Sequence, residues 1–186
     1  MTNELNAGVR LGCERLESRE NPAGNIAVGL GLDGVLYLRG DPAANLVSIQ
    51  QNPAGDIHLI GVSGTTVNGA PVIYVGRGWL NGVQVIADDG NDLIEMVGLR
   101  VNGTISVLAG NENDGVALYG VAAGGLNLQM QGGHDVVVTD GVSVAWSAHI
   151  DGGTGFDTVD YRTRGLYAPA VYMPHVERLV GGPFGY

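Results

Sequence analysis

The most regular chemistry in the chain belongs to four aspartates, Asp92, Asp114, Asp135 and Asp157, spaced by 22, 21 and 22 residues. Each follows a turn rich in Gly and Asn and precedes a β-prone run. The four segments are Asn91-Asp92-Leu93-Ile94, Asn113-Asp114-Gly115-Val116, His134-Asp135-Val136-Val137 and Phe156-Asp157-Thr158-Val159. Glycine lets such a turn take positive φ and expose its carbonyl oxygens, and the aspartate adds a carboxylate. Calcium takes six to eight hard oxygens at about 2.3–2.6 Å, so this set suits it. Asp89, Asp92, Asp114, Asp135, Asp151, Gly153, Gly155 and Asp157 are the candidate ligands. Repeats stacked in register would place the four aspartates in a column about 4.8 Å apart. A cation between such like charges removes their repulsion. The competing reading is a bare ladder of Asp/Asn turns facing solvent, since these residues suit turns for their own sake.

The elements that must position this column are strands. Leu126, Leu128 and Met130 alternate with Asn127, Gln129 and Gln131, and Val142, Val144, Trp146, Ala148 and Ile150 alternate with Ser143, Ala145, Ser147 and His149. Ile105 and Val107 flank Ser106, and Val83 and Val85 flank Gln84. A period of two with one apolar face is the pattern of a half-buried strand. A fixed repeat of about 22 residues whose strands cannot bury their apolar faces alone predicts an all-β parallel β-solenoid, each rung covering the next. Two earlier corners are expected at Asn45 and Asn68, at spacings of 23 and 24, with Asn in place of Asp. An antiparallel sandwich or barrel is the alternative, because turn signals every 8–12 residues suit it too. Residues 1–24 read as a polar N-terminal segment of flexible or export type, and 25–186 as the solenoid with its C-terminal cap. From about 165, Tyr167, Tyr172, Phe184, Tyr186 and three prolines suggest an aromatic C-terminal cap or an incomplete last rung.

Composition narrows the function. The chain holds 32 Gly against two Phe and two Trp, has 45% apolar residues, and carries a net charge of −10. All nine bases are Arg. Without Lys there is no P-loop lysine, no Schiff base and no polybasic membrane patch, and without a basic face nucleic acid is an unsuitable partner. Cys13 is the single cysteine, so neither an intrachain disulfide nor a multi-cysteine metal site can form. No apolar run reaches membrane-spanning length, and residues 1–24 lack the apolar stretch of an ordinary secretory signal.

The stretch Gly152-Gly153-Thr154-Gly155-Phe156-Asp157-Thr158-Val159 reads G-G-x-G-x-D-x-U and resembles the nonapeptide of hemolysin-type (RTX) calcium-binding repeats. That resemblance implies a parallel β-roll with calcium held between successive turns. The sequence departs from the family in lacking tandem nine-residue copies. Its near-consensus motif recurs upward only as Gly132-Gly133-His134-Asp135, Gly110-Asn111-Glu112-Asn113-Asp114 and Asp89-Gly90-Asn91-Asp92. A second stretch, Arg15-Leu16-Glu17-Ser18-Arg19-Glu20-Asn21-Pro22-Ala23, resembles the "LEDR…PA" segment that opens many exported planctomycete proteins, which implies a secreted or cell-surface location.

Other signals are weaker. Gly29-Leu30-Gly31-Leu32-Asp33-Gly34 matches G-x-G-x-x-G, but a strand-like run from Val35 to Leu38 follows where a dinucleotide site needs a helix. Trp79 and Trp146 could stack on sugars, though rung-stacking is the commoner role. Asp88, Asp89, Glu95 and Glu112 could supply a glycosidase carboxylate pair, yet 11 acids lie between 88 and 160 and nothing singles out two. The sequence therefore points to a non-enzymatic structural or adhesive module of a secreted or surface protein, ordered by calcium, with polysaccharide or other surface proteins as partners. A polysaccharide-binding or polysaccharide-cleaving solenoid using a surface carboxylate pair is the alternative.

Overall fold

The computed structural model describes residues 24–181 and contains strands, turns and no helix. Two mainly parallel sheets face each other and exchange the chain at every corner, which makes the fold a β-solenoid. One sheet stacks Val35–Arg39, Gly82–Ile86, Arg100–Asn111, Ala122–Gly133 and then the shorter strands Val142–Val144, Ala148–Asp151 and Thr154–Gly155. The other stacks Leu46–Gln51, Leu93–Val97, Gly115–Tyr119, Val136–Asp140, Thr158–Tyr161 and Arg178–Gly181. The register is constant: Leu46, Leu93, Gly115, Val136, Thr158 and Arg178 lie side by side. The 21–22 residue spacing is thus the length of one coil.

Alternation fills the space between the sheets. Ile94, Met96, Val116, Leu118, Val137 and Val159 point inward from one side, against Val83, Ile105, Val107, Leu128, Met130 and Ile150 from the other. The gap takes mostly aliphatic side chains, with Tyr161 buried at its end, while Trp79, Trp146 and Phe156 are all more than half exposed. Trp146 departs from the alternation that placed it with Val142 and Val144. The strand breaks over residues 145–147, and the indole lies across Gly124 and Gly125 of the coil before it, where an added methyl group would stand 2.8 and 3.4 Å from the ring. It is a rung-stacking aromatic.

The expected corner at Asn45 is present, and the one at Asn68 is not. Residues 52–78 leave the coil as an insertion. Asp56–Gly61 runs antiparallel beside Leu46–Gln51, and Val72–Arg77 antiparallel beside Asp56–Gly61, which extends that sheet past its first coil. Asn68 sits in a tight turn at φ 50°, and its side chain pairs both backbone groups of Val28. With Asn25–Leu30 antiparallel to Val35–Arg39, the insertion covers the first coil with paired backbone, which manages the exposed edge. At the other end, Leu166–Tyr167, Val171–Tyr172 and Arg178–Gly181 pair in parallel with the coil before them and form an incomplete last rung. Tyr167 and Tyr172 are exposed on it. Cys13, the segment 15–23, Phe184 and Tyr186 lie outside the described residues.

Candidate functional site

The four repeat aspartates form one column on the inside of the corner, joined by Asn45 above and Glu177 below. Each backbone N–H donates to the carboxylate of the next coil: Asn45 N to Asp92 Oδ1 at 2.7 Å, Asp92 N to Asp114 Oδ1, Asp114 N to Asp135 Oδ1 and Asp135 N to Asp157 Oδ1 at 2.8 Å each, and Asp157 N to Glu177 Oε2 at 2.7 Å. The aspartates are only 2–3% exposed. They are interior groups, not a solvent-facing turn ladder. The sequence held a signal for this. Asp92 shares strand parity with the inward Ile94 and Met96, Asp114 with Val116 and Leu118, and Asp135 with Val137. Carrying the two-residue alternation one step back into the turn places every aspartate inside.

The turn before each aspartate repeats its backbone shape even where its sequence does not. Four residues before the aspartate stand Asp88, Gly110, Gln131 and Gly153, and two residues before it Gly90, Glu112, Gly133 and Gly155. All eight have positive φ, between 74° and 151°. At Gly155 the conformation admits nothing else, because a Cβ there would sit 1.5 Å from the Gly133 carbonyl oxygen of the coil above. A second, outer column runs the opposite way. Asn91 Oδ1 accepts from Asn113 N, Asn113 Oδ1 from His134 N, and His134 Nδ1 from Phe156 N. The corner is therefore tied in both directions, and His134 serves as a backbone acceptor within it.

Each column aspartate has one oxygen left over. Oδ2 of Asp92, Asp114, Asp135 and Asp157 is buried and meets no hydrogen-bond donor. A buried acceptor without a partner is costly, and a buried charge more so. Burial accordingly pushes Asp114 up to about 7 and Asp92 and Asp135 up to about 6, with the neighbouring aspartates adding to the rise at Asp114, and it raises Asp157 as well. Asn45, at the head of the column, follows a turn of different backbone shape, since neither Asp41 nor Ala43 takes positive φ, and its buried Oδ1 also meets no donor. Its Nδ2 donates to the carbonyls of Asp41 at 2.7 Å and Ala43 at 2.6 Å, four and two residues earlier. The amide supplies a donor to the turn carbonyls, where an ionised carboxylate brings only further acceptors.

The remaining candidate ligands are not in the column. Asp89 is exposed and accepts from Asn111 Nδ2, while Asp151 accepts from Gly153 N and lies 2.9 Å from His175 Nδ1. Gly153 and Gly155 shape the last corner through their positive φ. Among the described residues no three His, Cys, Asp or Glu side chains converge on a point where they could hold an ion. A cation at a corner would thus draw on one aspartate carboxylate and on turn carbonyls. Glu95 and Glu112, two of the four acids from which a carboxylate pair could be drawn, accept structural bonds, from Ser48 Oγ and Gly90 N respectively. No family model, curated protein or solved structure matches the chain.

Proposed function

We propose that the chain is a non-enzymatic structural or adhesive module of a secreted or cell-surface protein, and that its Gly/Asp corners take calcium as the hemolysin-type repeats they resemble do. One observation carries the reading: four buried aspartate oxygens without donors stand in a column, each after a turn with positive φ at the same two positions. Hard oxygens that lack a proton donor are the chemistry calcium seeks. The partial neutralisation it supplies offsets the repulsion along the column. The residues that would hold it are Asp92, Asp114, Asp135 and Asp157, with the carbonyls of their own turns; Asp89 and Asp151 stand outside that set. The structural role is supported by the mostly aliphatic interior, which runs on from coil to coil. Thermal unfolding in EGTA and in millimolar calcium tests the reading, because a ligand of the folded state raises the transition. An unchanged midpoint sinks the calcium assignment and leaves a calcium-independent scaffold.

A further inference from the structure

Away from the aspartate column, two arginines, Arg77 and Arg100, share one corner. There an open groove of about 490 Å³ is lined by Gln51, Asn52, Arg77, Trp79, Gly98 and Arg100, among others. Its size falls within the range of small-molecule sites. The groove is built, not incidental. Gln51 Nε2 donates to the carbonyls of Gly55 at 3.1 Å and Gly78 at 2.6 Å, and its Oε1 accepts from Arg100 N at 2.9 Å. One amide thereby fixes the two ends of the insertion and the start of the strand Arg100–Asn111. Arg77 is spent on Asp56, which it grips with both nitrogens at 2.6 and 3.2 Å, and Asn52 braces the same carboxylate. Arg100 forms no ion pair among the described residues. Its guanidinium lies over the Trp79 ring, 5.8 Å from the centroid, and Trp79 is 58% exposed.

An exposed indole with a guanidinium over its ring, the latter unpaired with any acid among the described residues, has a definite complement. The ring offers a flat apolar platform for the C–H face of a sugar, and the planar fork of Arg pairs a carboxylate through two hydrogen bonds. We infer that this groove binds a carboxylated sugar ring of the uronic-acid type, with Trp79 as the platform and Arg100 as the carboxylate partner. A chain of net charge −10 repels polyanions at long range, so attraction must come from this local pair. The site lies away from the Asp column and does not depend on calcium there.

The full chain carrying Trp146→Phe, which leaves Trp79 as the single indole, is titrated in EGTA with trigalacturonate while the fluorescence of Trp79 is followed. Saturable quenching is expected, with the methyl ester of the same trisaccharide at least about tenfold weaker. In the Trp146→Phe background, Arg100→Gln should erase the preference for acid over ester. Trp79→Ala, followed by NMR shifts of the groove backbone, should weaken binding about tenfold or more. Both residues are exposed, so an unchanged melting temperature verifies the fold. Equal affinity for acid and ester, binding that survives both substitutions, or no saturation by about 10 mM overturns the assignment. Tricarballylate, a polycarboxylate with no ring, binding as well as the trisaccharide would overturn its sugar part.

Discussion

Replacing Asp114 by Asn exchanges the most strained carboxylate of the column for the residue that heads it. The Asn carbonyl can still accept from Asp92 N, as Asp114 Oδ1 does at 2.8 Å. The new amide brings no charge to the buried position where Asp114 Oδ2 meets no donor. Burial moves the Asp114 carboxyl from 3.8 to about 7. A tenfold change in proton affinity is about 1.4 kcal/mol, so in metal-free solution at pH 8 the charged group costs the fold up to ~4 kcal/mol. Relaxation and coupling to Asp92 and Asp135 reduce this, and a gain of about 2 kcal/mol is expected, a rise of roughly 4–8 °C in Tm for a chain of this size. At pH 4, where the native carboxyl is already protonated, wild type and variant should melt alike. Differential scanning calorimetry in EGTA at the two pH values reads both. A variant that melts below wild type at pH 8 would show that the ionised oxygen has a stabilising partner, and the reasoning would fail. In calcium the order should reverse, because Asn offers the ion one neutral oxygen in place of a carboxylate.

In metal-free buffer, stability should fall as pH rises from about 4 to about 7 and then level off. The column carboxyls bind protons more tightly when folded, so their contribution is fully present below 3.8 and lost through about 6 to 7; denaturant midpoints across that range check the direction. Below 3.8 the trend should turn, since hydrogen bonding to Arg77 lowers Asp56 and protonation removes that pairing. Gly155→Ala should abolish the last corner, a loss of more than about 3 kcal/mol, because the added methyl meets backbone and not a movable side chain. Gln131→Gly should raise stability by about 1 kcal/mol, since an exposed residue held at φ 76° gives up its left-handed strain, less the added chain entropy. Leu118→Ala, at a fully buried site in mid-stack, should cost about 2–5 kcal/mol in chemical denaturation.

How far the sequence reveals this molecule differs from part to part. The coil length is open to view, because parallel stacking in register forces equal spacing on Asp92, Asp114, Asp135 and Asp157. The Asn45 corner extends the series, but the distance from Asn45 to Asp92 is 47 residues, one coil plus an insertion. Asn68 fell near the expected place by turn chemistry alone, since Asn-Gly turns serve an antiparallel hairpin as readily as a solenoid corner. The corner backbone is hidden at Asp88, Glu112 and Gln131, where residues with a Cβ hold conformations that glycine announces elsewhere. The inward aim of the aspartates is written in the strand parity and masked by the turn around them. Nothing in the sequence foretells the Gln51 clamp, which joins residues up to 49 apart.

The most direct measurement is the melting temperature of the wild-type chain at pH 7.5 in EGTA and across calcium up to a few millimolar. Calcium filling the column corners should raise the midpoint progressively, by about 2.7 kcal/mol when the ion stands a hundredfold above its dissociation constant, and magnesium at equal concentration should do far less. A midpoint that ignores calcium, or that magnesium raises equally, would contradict calcium at the buried aspartates.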